Sequence, residues 1–312
     1  MAYYELLAIL FWITFSSYDI KKLSKIWRIE NNVVNLQGEY RGKFMTIERF
    51  RAIEEEVKLA VETTLDMIEE NHFSNYVLLL AHADYVCDRY MYGSTINLIR
   101  EENHMKFLLD YLNSYSAYLH EPISLNEYDY TIQMMIYCHL WESNYFFKFI
   151  KRIAYIAKGK TYKWDIRLDH TVARQNIINQ SKELLLKKKC LIGNMIDKSY
   201  CADLRNAFAH MSYKFELKEQ RVVLYADDCL AYMKVFSIEE WEEWFVYSLL
   251  LTFYLLNSID YRKNTFMDKY PDKEKILVDV PAEQKGMYDK KYAYPRRKGE
   301  KLVEFYCIPQ DV

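Results

Sequence analysis

The chain has 312 residues, with 42 Lys and Arg against 44 Asp and Glu for a formal charge of −2, which excludes a globally basic nucleic-acid coat. Hydrophobic residues reach 51% and aromatics 16%, enough apolar surface for a large core and too much for a disordered chain. The 7 glycines and 5 prolines are about a third of the usual share, too few for a many-turned β sandwich or barrel.

The first apolar run, Leu6 to Phe15, is too short to span a bilayer. No positive segment precedes it and no small-residue cleavage site follows, so it reads as a buried helix, with a membrane anchor as the lesser alternative. Pro122 is the only proline before residue 271, whereas Pro271, Pro281, Pro295 and Pro309 crowd the end. Helix interiors exclude proline, so the first 270 residues are expected to be helical and the last stretch to be turns and extended chain. Gly38 and Gly42 flank an expected turn. Ile47, Phe50, Ile53, Val57, Val61, Leu65 and Ile68 step by three or four into one apolar stripe, with Thr46 as N-cap. Further helices are expected over Asn75–Met91 and Asn103–Leu119. Pro122 then marks a boundary, giving an N-terminal helical region over 1–124, a helical domain over 125–262 and an extended C-terminal tail over 263–312.

In the second part, Tyr130 to Ala157 reads as one long helix or two abutting ones. Trp141, Tyr145, Phe149, Ile153 and Ile156 form its buried stripe, with Lys148, Lys151 and Arg152 off it, toward solvent or a ligand. Gly159 ends it, and Thr161–His170 reads as a loop. Val172 to Ile192 is the next expected helix, with a lysine run at Lys187, Lys188 and Lys189 and Gly193 as its stop. Arg221–Tyr225 is β-branched and aromatic and should pair with Tyr213–Leu217 in a hairpin. Helix returns from Ile238 to Ile259. The 6 cysteines (Cys87, Cys138, Cys190, Cys201, Cys229, Cys307) show no CxxC pair and no zinc spacing, and HExxH is missing. They read as buried free thiols of a reducing, cytoplasmic compartment, with neither metal nor cofactor implied. His82-Ala83-Asp84 and Cys138-His139 read as structural. The 29 tyrosines suit wet interfaces between helices or subunits.

The chemistry concentrates in Ala202-Asp203-Leu204-Arg205-Asn206-Ala207-Phe208-Ala209-His210-Met211-Ser212-Tyr213. On a helix at about 100° per residue, Leu204, Phe208, Met211 and Phe215 make a core stripe. Asp203, Asn206 and His210 make a separate polar one. Arg205 and His210 then point about 140° apart, so one helix cannot easily close both on one phosphate. Either Arg205 starts the helix and reaches around, or two copies meet across a two-fold. Taken alone, an Arg-x4-His spacing also fits a helix histidine and a surface ion-pair partner.

Leu-Arg-Asn-Ala-Phe-Ala-His at 204–210 resembles the Arg-polar-x-x-x-His signature of the HEPN superfamily, and the resemblance covers roughly residues 125–262. It implies an all-α, HEPN-like helical bundle with an extra N-terminal helical region and a small β-hairpin after the motif helix. It implies a homodimer with two motif helices facing each other, and for many members a metal-independent endoribonuclease. Toxins, antiphage proteins and CRISPR effector nucleases are among them, so an antitoxin or another defence-system protein is the partner class implied, with no membrane. By position, Arg205 and His210 match the catalytic pair, Asn206 the polar residue and Glu142 the acidic helper. The place two residues after the histidine, a modified tyrosine in toxins paired with nucleotidyltransferase antitoxins, is Ser212 here, with Tyr213 one later.

The residue types suit that reaction. RNA cleaves when its 2′-OH attacks the adjacent phosphorus, leaving a 2′,3′-cyclic phosphate. Histidine, with an ordinary pKa of about 6.5, carries protons near neutrality. Arginine offers planar charged donors to the phosphorane. DNA lacks the attacking hydroxyl. Tyr213, Lys148, Arg152, Lys187 and Lys188 are the candidate RNA contacts. Lys290, Lys291, Arg296, Arg297 and Lys298, interleaved with Tyr288, Tyr292 and Tyr294, suit either single-stranded RNA or an ordinary solvated tail. The alternative function is a non-catalytic module of the same kind that binds RNA or protein.

Overall fold

Two long helices form the frame. The computed structural model describes residues 42–43, 45–81, 107, 111, 124–125, 127–160, 174–226, 229–281, 287–298 and 302–309. Helix α1 (Ile47–Asn71) starts where the sequence places it, because the Thr46 hydroxyl accepts the Arg49 N–H. Its stripe Ile53, Val57, Val61, Leu65 and Ile68 is buried. The run Leu6–Phe15, the turn at Gly38, the loop Thr161–His170 and the group His82-Ala83-Asp84 lie outside the described residues. Of the helix expected from Asn75, α2 (Phe73–Ala81) is described and the continuation to Met91 is not. Of the helix over 103–119, only Phe107 and Tyr111 are described, both helical.

A short ladder joins β1 (Gly42–Lys43) to β2 (Ser124–Leu125). Tyr130 to Ala157 forms the abutting pair, α3 (Glu127–Glu142) and α4 (Asn144–Ala157). Ser143 separates them by accepting the Phe146 N–H, which caps α4. Gly159, in the left-handed region at φ 70°, then ends α4 as expected.

The expected helix over 172–192 is instead two, α5 (Arg174–Lys187) and α6 (Leu191–Ser199). The stop falls at Lys189, whose φ is 58°, while the Cys190 N–H returns to the Leu185 carbonyl at 2.9 Å. Gly193 is no stop. It lies inside α6, where a Cβ would sit 3.0 Å from both Leu185 Cβ and Leu186 N, so glycine here lets α5 and α6 approach closely.

After α7 (Ala202–Ala209), the expected hairpin is present. Strand β3 (Tyr213–Glu216) pairs antiparallel with β4 (Arg221–Ala226), and β5 (Cys229–Ser237) adds a third strand. Ser237 closes a capping box with Glu240 and begins α8 (Ile238–Asn264). Helices α1 and α8 run parallel and are zipped by Arg49–Glu243, Tyr254–Glu54, Tyr247–Glu56 and Ser258–Glu62. Arg262 completes the zip by reaching Glu62 (2.5 Å), Asp66 (2.7 Å) and Glu69 (3.0 Å) on successive turns of α1.

The C-terminal stretch is extended, as expected, and it is folded. After α9 (Phe266–Lys269), strands β6 (Ile276–Pro281), β7 (Tyr288–Lys298) and β8 (Leu302–Pro309) form an antiparallel sheet. Val278, Ala293, Val303 and Phe305 are buried from it in the common core. Residues 41–312 form one compact unit. Helix α1 therefore shares its core with the region after 125, and the expected boundary near 124 does not separate two cores. The chain is mainly helical with small antiparallel sheets, and no helix among the described residues is long and apolar enough to cross a membrane.

One buried charge gives the fold a pH dependence. Glu242, in the first turns of α8, is 3% exposed, and the Tyr130 hydroxyl donates to its Oε1 at 2.9 Å. Burial pushes its carboxyl up to about 7 from an ordinary 4.5, against the hydrogen bonds of Tyr130 and the Met45 backbone. The folded chain thus keeps a proton that the unfolded chain has already lost. Stability falls as pH rises from 4.5 to about 7, by about 3 kcal/mol once complete. Glu242→Gln should raise the melting temperature at pH 8 and leave it near wild type at pH 5. An equal difference at both pH values in calorimetry would contradict this.

Candidate functional site

Helix α7 is positioned at its start by residues of α3 and α8. The Tyr137 hydroxyl of α3 accepts the Cys201 N–H at 2.7 Å and donates to the Ser199 carbonyl at 3.1 Å. The Trp141 indole N–H donates to Ser248 Oγ at 2.9 Å, and that hydroxyl reaches the Ser199 carbonyl at 3.0 Å. The α6–α7 junction is thereby fixed against two helices, and Leu204 and Ala207 are buried beneath α7. None of Tyr137, Trp141 and Ser248 stands out as functional in the sequence. Tyr137 and Trp141 are one helical turn apart on α3, but nothing in the local pattern reveals which segment docks on them.

The motif helix is shorter than expected and ends at Ala209. His210 is its C-cap, with its N–H still closing the helical bond to the Asn206 carbonyl at 3.1 Å. Met211 takes the left-handed conformation (φ 55°), its N–H bonding the Phe208 carbonyl and the Ser212 N–H the Ala207 carbonyl. This is the Schellman arrangement, with methionine where glycine is usual. Met211 is therefore 74% exposed and does not join the expected core stripe. Met211→Gly should relieve the backbone and stabilise the fold by about 1 kcal/mol, read as a small rise in melting temperature. An unchanged or lower melting temperature would contradict the strain argument.

On one flank of α7, Arg205 meets the last residue of α3. Its Nη2 and Nε donate to Glu142 Oε1 at 2.9 and 3.2 Å, and its Nη1 donates to Asn206 Oδ1 at 3.4 Å. The two ion-pair side chains are 26% and 43% exposed, so the guanidinium is held yet open to solvent. Behind the pair lie Cys138, buried, and Tyr200, half-buried, both pushed up to about 12 by loss of solvent. A thiol titrating that high is an inert neutral group at pH 7. On the other flank, Asp203 in the first turn pairs with Lys234 of β5. Asn206 is exposed between the flanks, and His210 is exposed on the Asp203 side. Glu142, Arg205, Asn206, His210, Asp203 and Lys234 make a polar strip over the outer surface of α7.

Most of the candidate RNA contacts lie away from this strip. Arg152, expected to face solvent or a ligand, is 2% exposed with its Cζ 5.7 Å above the Phe149 ring. The physical reason is that α4 is enclosed nearly all round: Phe146, Phe147, Phe149, Ile150, Ile153, Ala154 and Ile156 are all buried. Arg152 therefore cannot touch RNA. Lys148 on the same helix is half-buried. Lys187 and Lys188 are exposed at the α5–α6 turn, about 13 Å of helix rise from the start of α7. Tyr213 is half-buried, its ring 5.8 Å from those of Phe208 and Phe215, and burial pushes its phenol up. In the C-terminal sheet, Lys290 pairs with Asp279 at 2.5 Å and Arg297 with Asp268. Among the described residues no three His, Cys, Asp or Glu side chains come together as a metal-binding group. No family model matches the chain, and neither does any curated protein or solved structure.

Proposed function

We propose that the chain is an endoribonuclease of HEPN type that cleaves RNA through attack of a 2′-OH on its neighbouring phosphorus, without a metal ion. The observation that carries the reading is the ion pair between Arg205 and Glu142, residues 63 apart in sequence that the resemblance alone had associated. Glu142 orients the guanidinium, Arg205 offers its remaining donors to the phosphate oxygens, and His210 carries the proton. Asn206 sits one turn before His210 and already touches Arg205. Arg205 and His210 lie on different sides of α7, so the site is completed by a second copy whose α7 packs opposite. A cytoplasmic toxin or antiphage role, with an antitoxin or defence protein as partner, extends the same resemblance.

The test is incubation of the purified protein with labelled single-stranded RNA in EDTA. Expected are fragments ending in a 2′,3′-cyclic phosphate, no cut in the matching DNA, and loss of cutting in Arg205→Ala. Cleavage that survives this substitution removes the site from consideration. Absence of cleavage of any RNA would favour a non-catalytic binding module.

A further inference from the structure

We infer that Lys234 of β5 holds an RNA phosphate on the His210 side of α7, next to the phosphate undergoing reaction. The inference rests on the nuclease reading above and adds a residue that lies outside the motif.

The argument begins with the direction of the charges. Arg205 is committed to the α3 flank, through Glu142 and Asn206. Seven residues separate Asp203 from His210, so at about 100° per residue they point within about 20° of each other. His210 keeps its helical hydrogen bond to Asn206, so this progression extends to it. Asp203 is paired with Lys234. Among the described residues, Lys234 is thus a cation that one chain presents on the His210 flank.

Its setting suits a phosphate. Lys234 stands opposite Leu224 in the β4–β5 register, and its side chain reaches α7 from that sheet. The side chain is 51% exposed, so part of the ammonium faces solvent. The hydrogen bond and charge of Asp203 push the ammonium up, keeping it protonated through the working range. An ammonium has three donors, and a single carboxylate leaves room for a second anion. Along the helix axis Asp203 and His210 are about 10 Å apart. Lys234 therefore serves a flanking phosphate, and its contact is independent of base sequence.

The same pair supplies a discriminating experiment. RNA binding is measured by anisotropy with a labelled single-stranded oligonucleotide in EDTA, in the His210→Ala background, adding Lys234→Ala, Lys234→Arg or Asp203→Ala. Lys234→Ala should weaken binding about five-fold at 0.1 M salt and lower the slope of log affinity against log salt by about 0.7. Lys234→Arg should restore both. Asp203→Ala should bind at least as tightly as its parent, because it removes a negative charge and frees the ammonium. Parental affinity and slope in Lys234→Ala would overturn the inference, and so would equal weakening by Lys234→Ala and Asp203→Ala, the mark of a purely structural pair. Wild-type cleavage alongside Lys234-independent binding sinks the Lys234 contact and leaves the nuclease reading standing. Lys234-dependent binding without wild-type cleavage does the reverse, and no RNA binding at all sinks both.

Discussion

His210→Ala should lower RNA cleavage about 1,000-fold, the middle of the range for losing a general acid or base, and leave the fold intact. His210 is exposed at the end of α7, and what it gives the helix is its backbone N–H, which alanine keeps. The melting temperature should accordingly match wild type, so that lost activity reports chemistry. Arg205→Lys should be nearly as inactive as Arg205→Ala. The arginine uses Nε and Nη2 on one Glu142 oxygen and Nη1 on Asn206, a planar fork that an ammonium cannot reproduce. Glu142→Gln should lose less, about ten-fold, because an amide oxygen still accepts from the guanidinium while the charge that orients it is gone. Initial rates in EDTA on one RNA substrate rank the four variants. His210→Ala cutting within ten-fold of wild type would show that its imidazole carries no proton in the reaction.

The elements with chemically local causes were legible in the sequence. Thr46 starts a helix because its hydroxyl takes an orphan N–H within the next turn, and the helix expected from Ile238 begins there because Ser237 does the same. Gly159 ends one because it tolerates positive φ. The pairing of Tyr213–Glu216 with Arg221–Ala226 follows from β-branched and aromatic residues on both sides of a short turn. Legibility stopped where the same residue type serves a second purpose. Lys189 and Met211 end helices in a conformation that glycine usually takes, while Gly193 continues one to admit a neighbouring helix. Periodicity misplaced Arg152 because it presupposes a solvent side, which α4 barely has. At the site, Arg205, Asn206 and His210 could be named from one short segment. Glu142 came only through the family resemblance. Tyr137, Ser248 and Lys234 reach α7 from elements distant in sequence, and no local pattern encodes such contacts.

Trp241→Ala should destabilise the fold by about 4 kcal/mol, lowering the melting temperature by about 10 °C. Trp241 is fully buried where α8, α3 and β3 converge. Its ring lies 5.4 Å from Tyr137, 6.1 Å from Phe215 and 5.7 Å from Phe245, so truncation leaves a cavity lined by three aromatic rings that cannot collapse together. The indole N–H also donates to Gln133 Oε1 at 3.2 Å, and Gln133 is buried. Trp241→Phe separates the two losses. It retains most of the packing and strands the Gln133 oxygen, for about 2 kcal/mol. The consequence reaches the site because Tyr137, which leans on Trp241, also holds the Ser199–Cys201 junction from which α7 springs. Below its melting transition, Trp241→Phe should therefore cleave RNA more slowly than its folded fraction allows. Denaturant unfolding and initial rates on the same preparation give both quantities. A loss below 1 kcal/mol in Trp241→Ala would mean that the convergence of α8, α3 and β3 does not hold this core together.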